Sequence, residues 1–128
     1  MRRWVPILLV LGILASVTAC SKESGSPASA IESYNQALVE GKADQLTTLS
    51  CSDWEADAQN ELASFSAVKV NLQDMSCSES GKDGDTTLVS CSGKIIANYG
   101  NEVLEINLGD RLYQAVLEGG EWRMCGYH

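Results

Sequence analysis

Histidine is all but missing from this 128-residue chain: His128 is the only one, and none of the five cysteines belongs to a Cys-x-x-Cys pair. Zinc sites draw on such pairs and on imidazoles, and a redox-active thiol couple needs the same close spacing. Neither is expected, and the sequence implies no metal and no cofactor. Basic charge is also scarce. Nine Lys and Arg face 17 Asp and Glu, for a net charge of −8. A phosphate backbone needs a cationic footprint, so nucleic acid is excluded as a partner. There is no nucleophile elbow and no phosphate-cradling glycine loop. Asp83-Gly84-Asp85 carries only a fragment of a calcium loop and reads as a turn. No internal repeat occurs, and the longest apolar run falls short of the ~20 residues that span a bilayer.

What is present begins with an address. Residues 1–19 fall into a cationic start (Arg2, Arg3), an apolar run from Val5 to Ala15 and a small-residue end, the zones of a secretory signal peptide. Its last residues, Val17-Thr18-Ala19, followed by Cys20, resemble the lipobox of bacterial lipoproteins. That resemblance implies cleavage before Cys20, a diacylglyceryl group on its thiol and acylation, palmitate for example, of the new amino terminus. Two or three acyl chains hold a protein stably on a membrane where one does so only marginally. Residues 20–26 read as the lipidated cysteine and a Ser/Gly-rich flexible linker, whose six residues after Cys20 reach roughly 12–15 Å. The expected location is the outer face of a bacterial membrane, in the cell envelope, with lipid on Cys20 as the membrane partner. Residues 27–128 suffice for one domain with a modest core.

With Cys20 acylated, Cys51, Cys77, Cys91 and Cys125 remain, an even set in an oxidising compartment, so two disulfides are expected. Four thiols allow three pairings. Cys77 and Cys91 are equidistant from Gly84, so a hairpin turning there would set them opposite each other, and Cys51 with Cys125 would follow.

The domain opens with helical patterning. Ser26-Pro27 reads as a cap and first helical position, and Ala30/Ile31, Tyr34 and Ala37/Leu38 recur at helical spacing until Gly41, giving a helix over 27–40. Asp44 can cap a short second helix carrying Leu46 and Leu49. Ser52-Asp53-Trp54-Glu55 has the form of a capping box before a third helix with Trp54, Ala58, Leu62 and Phe65 on one face. Glu55, Asp57 and Glu61 make an acidic stripe that reads as a solvated surface. Beyond Phe65 the period changes to two, with turn signals at 81–85, 100–101 and 119–120. Four strands of an antiparallel meander are predicted, over 66–77, 86–99, 102–117 and 121–127, the third with a bulge at Gly109.

Three helices before a curved four-stranded antiparallel sheet form an α+β arrangement. It opens with Ile31-x-x-Tyr34-x-x-Ala37-Leu38-x-x-Gly41-Lys42-Ala43-Asp44 and closes with Glu118-Gly119-Gly120-Glu121-Trp122-Arg123-Met124-Cys125. This pattern resembles the nuclear-transport-factor-2-like, or cystatin-like, superfamily over nearly all of the chain after Cys20, and small bacterial lipoproteins within it. The sequence lacks the extra hairpin that some members carry between helices and strands. The resemblance implies a cone in which the sheet wraps the first helix and leaves a cavity at its open end. Tyr34, Trp54, Tyr99 and Tyr113 are the candidate cavity-lining residues. Some members are ketosteroid isomerases or polyketide cyclases, which need an inward carboxylate with an acid or oxyanion donor. Here no acidic residue matches a catalytic position, and no catalytic residue is assigned.

Three functions compete. The first is a lipid-anchored extracytoplasmic domain that binds a small apolar ligand or an envelope protein without catalysis. The second is a small isomerase- or cyclase-type enzyme acting on a hydrophobic compound, which requires a carboxylate within about 3–5 Å of a tyrosine hydroxyl inside the cone. An adaptor or inhibitor, the third, requires an exposed hydrophobic edge.

Overall fold

The computed structural model describes residues 25–128. The leader, Cys20 and all of the linker but Gly25 and Ser26 lie outside the described residues. Helices come first: α1 (Pro27–Glu40), α2 (Ala43–Thr48) and α3 (Glu55–Ser64). The strands β1 (Lys69–Asp83), β2 (Thr86–Asn98), β3 (Val103–Asn107), β4 (Tyr113–Glu118) and β5 (Glu121–Tyr127) follow, with a 3-10 turn at Leu108–Asp110 between β3 and β4. The fold is α+β, and no helix among the described residues is long and apolar enough to cross a membrane.

Ser26 caps α1 reciprocally. Its hydroxyl accepts from Ser29 N at 3.1 Å, while the Ser29 hydroxyl accepts from Ser26 N at 2.9 Å. Gly41, left-handed at φ 71°, ends the helix. The other two helices start differently from the sequence expectation. Asp44 lies inside the first turn of α2, and Lys42 holds the cap position without a side-chain bond. The chain re-enters helix one residue after Gly41, so the Lys42 carbonyl already accepts from Leu46 N at 2.9 Å. The Ser52–Glu55 box does not form either, because Cys51 N donates to Met124 O (2.8 Å) and Trp54 N to Cys51 O (3.0 Å). That geometry delays α3 to Glu55, and Ser52 N instead meets Glu118 Oε2 at 3.2 Å.

In the sheet, β2 is central. Antiparallel β1 runs along one side of it, and β3 and β4 lie end to end along the other, with β5 beyond β4. The predicted single strand 102–117 is therefore two strands, making five, and Gly109 is not a bulge. Asn107 Oδ1 accepts from Gly109 N at 3.0 Å, which turns the chain through the 3-10 segment and buries Leu108. The first strand begins at Lys69 rather than 66 and continues to Asp83 rather than 77. Its irregularities fall between Gln73 and Ser76 and between Glu79 and Gly81, and they bend the sheet. Opposite the first, Gly93 has φ 93°, and a Cβ there would lie 2.5 Å from Gln73 O. Only glycine lets the two backbones approach so closely.

Thr87, Val89, Cys91, Ile95 and Ala97 alternate inward along β2 and meet Ile31, Tyr34, Ala37 and Leu38 of α1, with Leu46, Ala58, Leu108, Tyr113, Ala115 and Met124 completing the core. Two disulfides tie these layers. Cys77–Cys91 links directly paired positions of β1 and β2, Cα–Cα 4.1 Å, and Cys51–Cys125 links the α2–α3 connection to β5, Cα–Cα 5.2 Å. The outer N–H of Cys77 donates to Glu32 Oε1 of α1 at 3.0 Å, covering part of the sheet edge. Gly25 and Ser26, at the start of α1, share a groove with Glu121 and Trp122. Trp122 also borders Gly84 of the β1–β2 turn. The β2–β3 turn lies at the other end of β2, with Tyr99, Val103 and Leu104 exposed around it.

Candidate functional site

At that second end the cone opens. A cavity of about 290 Å³ is bounded by Asn35 and Leu38 of α1, Glu61 and Ser64 of α3 with Phe65 just after it, Ile95 of β2 and Tyr99 just after it, Leu104 and Ile106 of β3, and Arg111, Tyr113 and Tyr127. Its polar residues come from the same periodicities that build the core. Asn35 stands four residues after Ile31 and three before Leu38, on the buried face of α1. Glu61 follows Ala58 by three and precedes Phe65 by four, which places it beside the apolar face of α3 rather than with Glu55 and Asp57. This corrects the solvated-stripe expectation for Glu61: Glu55 and Asp57 are exposed, whereas Glu61 is half-buried.

What holds Glu61 inward is the last strand. The Tyr127 hydroxyl donates to its carboxylate, 2.7 Å from Oε1 and 2.9 Å from Oε2. Tyr127 is fixed in turn by the edge of Trp54 (centroids 5.5 Å apart, planes at 88°) and by Tyr113, its partner across β4 and β5, at 5.2 Å. Gly126, at φ 114°, lets the Trp54 ring sit where a Cβ would be 3.3 Å from it. The Arg111 guanidinium lies 3.6 Å above the Tyr127 ring, a cation–π contact at the exposed mouth.

The electrostatics follow from this enclosure. Burial pushes the Glu61 carboxyl above its ordinary value, opposed by the Tyr127 hydrogen bond and by the charge of Arg111. Burial also raises the Tyr127 hydroxyl, and Glu61 raises it further. The proton between them therefore stays on the phenol, and the carboxylate is the acceptor. Tyr113 is raised mainly by burial as well. A carboxylate made more basic, a neighbouring tyrosine donor and a cation at the rim form a set able to accept and return a proton.

The sequence-derived candidates divide. Tyr99 and Tyr113 reach the cavity, Tyr99 as a half-exposed side chain on the rim. Tyr34 and Trp54 lie outside its lining, joined by a bond from Trp54 Nε1 to the Tyr34 hydroxyl at 3.0 Å. The Tyr34 phenol is raised by its burial, and the nearby Glu61 charge adds to this. Missed from the sequence were Glu61, Tyr127, Arg111 and Asn35. Asn35 is 1% exposed, and among the described residues neither Nδ2 nor Oδ1 has a hydrogen-bond partner. It lies close enough to Tyr113 to influence that phenol, but without hydrogen-bond geometry. No cluster of His, Cys, Asp and Glu suited to a metal ion occurs among the described residues.

A second, larger groove of about 480 Å³ runs between the end of α1, α3 and the start of β1, lined by Leu38, Val39, Leu62, Phe65 and Val70 among others. Its only titratable group is Glu40, which is engaged with Lys42 Nζ at 2.8 Å. Of these two sites, the cone is the one that holds a carboxylate bonded to a tyrosine hydroxyl.

No family model matches the chain, and neither does any curated protein. Solved structures do. An NTF2-like family protein of Streptomyces avermitilis, described as a candidate dehydratase, superposes with a TM-score of 0.50 at 15% identity, covering 77% of this chain and 88% of that one. The helical cell shape determining protein Pgp2 of Campylobacter jejuni gives a TM-score of 0.51 at 9% identity, over 77% of this chain and 38% of that one. At such identities the likeness is one of architecture, and this chain has the nuclear-transport-factor-2-like fold.

Proposed function

We propose that this chain is an exported lipoprotein, anchored through Cys20 to the outer face of a bacterial membrane, whose cone takes up a small molecule with an apolar body and a polar head. The observation that carries the small-molecule reading is Glu61, a carboxylate drawn into the cone and bonded to Tyr127 in a wall that also presents Leu38, Phe65, Ile95, Leu104 and Ile106. Convergent polar groups in a concave apolar site are what ligand recognition requires. The anchor is supported by the leader and the Val17-Thr18-Ala19-Cys20 pattern. Native mass spectrometry of the full-length protein extracted from its own membranes tests the reading. A small-molecule adduct on the acylated protein, absent from a cone-filling Leu38→Trp variant, is the expected result. An adduct that survives Leu38→Trp, or none in either protein, overturns it.

A second reading is favoured by the 2.7 Å contact between Glu61 and the Tyr127 hydroxyl. The cone would then be a proton-transfer site of the isomerase, cyclase or dehydratase kind, with Glu61 as the base and Tyr127 polarising the reacting oxygen or returning the proton. The Streptomyces avermitilis protein of the same fold, described as a candidate dehydratase, is in keeping with it. Glu61→Gln separates the two readings. A binding protein keeps its ligand with altered affinity, whereas an enzyme keeps the ligand and loses about 100-fold or more of its turnover.

A further inference from the structure

Tyr127 holds two opposite charges in the cone. Its hydroxyl binds the Glu61 carboxylate, and its ring face carries the Arg111 guanidinium. Glu61 is the one acid and Arg111 the one base among the residues that line the cavity. The two do not pair with each other. Among the described residues no carboxylate bridges to Arg111, whereas Lys42, Lys94 and Arg123 each meet one. Arg111 is exposed and Glu61 only half-buried, so both can be reached by a molecule that enters from solution. We propose that the ligand carries a zwitterionic head, an ammonium and a carboxylate on one carbon, with an apolar side chain: a free hydrophobic α-amino acid.

The inference rests on the small-molecule reading of the cone and adds the chemical class. A guanidinium that stacks by its face on a ring keeps its in-plane N–H groups for a carboxylate. The Glu61 carboxylate receives one phenolic proton from Tyr127 and retains lone pairs for an ammonium. Heads of other charge meet one of the two unfavourably. A lone carboxylate finds Arg111 but is repelled by Glu61, and a lone ammonium finds Glu61 but is repelled by Arg111. A neutral head answers neither charge. The zwitterion answers both, and its apolar side chain has Leu38, Phe65, Ile95 and Ile106 to lie against. Size sets the second limit. At about 30 Å³ per water in the liquid, a 290 Å³ cavity has room for roughly ten such volumes, the scale of a single amino acid.

The test uses the full-length protein in detergent micelles at neutral pH and three probes that share one phenylethyl body: L-phenylalanine, phenethylamine, which lacks the carboxylate, and phenylpropanoate, which lacks the ammonium. Calorimetric titration of the wild type should show phenylalanine binding about tenfold or more tightly than either of the others, a gap of about 1.4 kcal/mol per tenfold. In Arg111→Gln the preference over phenethylamine should vanish while that over phenylpropanoate holds. Glu61→Gln should do the reverse. Preferences unchanged in either variant, or affinity lost equally for all three probes, overturn the proposal, since a merely structural pair would not sort the probes by charge. In the wild type alone, phenylalanine binding no tighter than a singly charged probe overturns the zwitterion assignment while leaving the cone a small-molecule site. If none of the three probes binds, the amino-acid assignment falls, and the Leu38→Trp experiment decides the cone separately.

Discussion

Glu61 makes the site, and its energetics can be read through pH. Its carboxyl is harder to ionise in the folded chain than in the unfolded one. Between the ordinary glutamate value of about 4.3 and the raised folded value, the native state therefore holds the extra proton. Stability should fall as pH rises through that window and level off above it. Thermal midpoints recorded against pH should show this slope in the wild type and a flatter one in Glu61→Gln; identical slopes would refute an enclosed carboxylate. The sequence hid this residue for a geometric reason. On the α3 wheel Glu61 borders both faces, and its fate is decided by Tyr127, 66 positions later, whose hydroxyl holds it. Asn35 was hidden differently, because one amide within the run from Ile31 to Leu38 does not disturb an apolar period. Tyr99 and Tyr113 were named through the family resemblance, and both stand in the cavity lining.

Among elements, α1 was readable to its ends because its cap and stop are local: Ser26, Pro27 and Gly41 act within one turn of themselves. The starts of α2 and α3 were not, since α2 begins so soon after Gly41 that the Lys42 carbonyl already accepts from Leu46 N, and Cys51 N before α3 is drawn to Met124 O of β5. Similarly, the break of 102–117 into two strands depends on Asn107 folding onto Gly109 N, a choice that alternation does not encode. The bend of β1 over β2 gives a direct prediction. Gly93→Ala places a Cβ against the Gln73 and Asp74 backbone and should destabilise by more than about 3 kcal/mol in denaturant unfolding, against under 1 kcal/mol for an unstrained site. The two bridges should also separate. Removing Cys51–Cys125, which spans 74 residues, should cost about 4–5 kcal/mol, and removing Cys77–Cys91, which spans 14, about 3 kcal/mol. Paired Cys→Ser variants measured by urea unfolding check the order; a reversed order contradicts the loop-length account.

For the whole molecule, the proposed attachment predicts that cells supplied with labelled palmitate transfer label to the wild type and none to Cys20→Ala, as read on the purified protein. Equal labelling of the two, or none in either, removes the anchor. The overall α+β order was plain from the switch of period after Phe65. The cavity was not, because it is made by six elements whose meeting no single segment announces. The start of α1 lies by Trp122 and the Gly84 turn, whereas Tyr99 and Leu104 border the cavity at the far end of β2. A protein moored by Cys20 would therefore be held by the end of its cone opposite the opening, which leaves the mouth clear of the point of attachment.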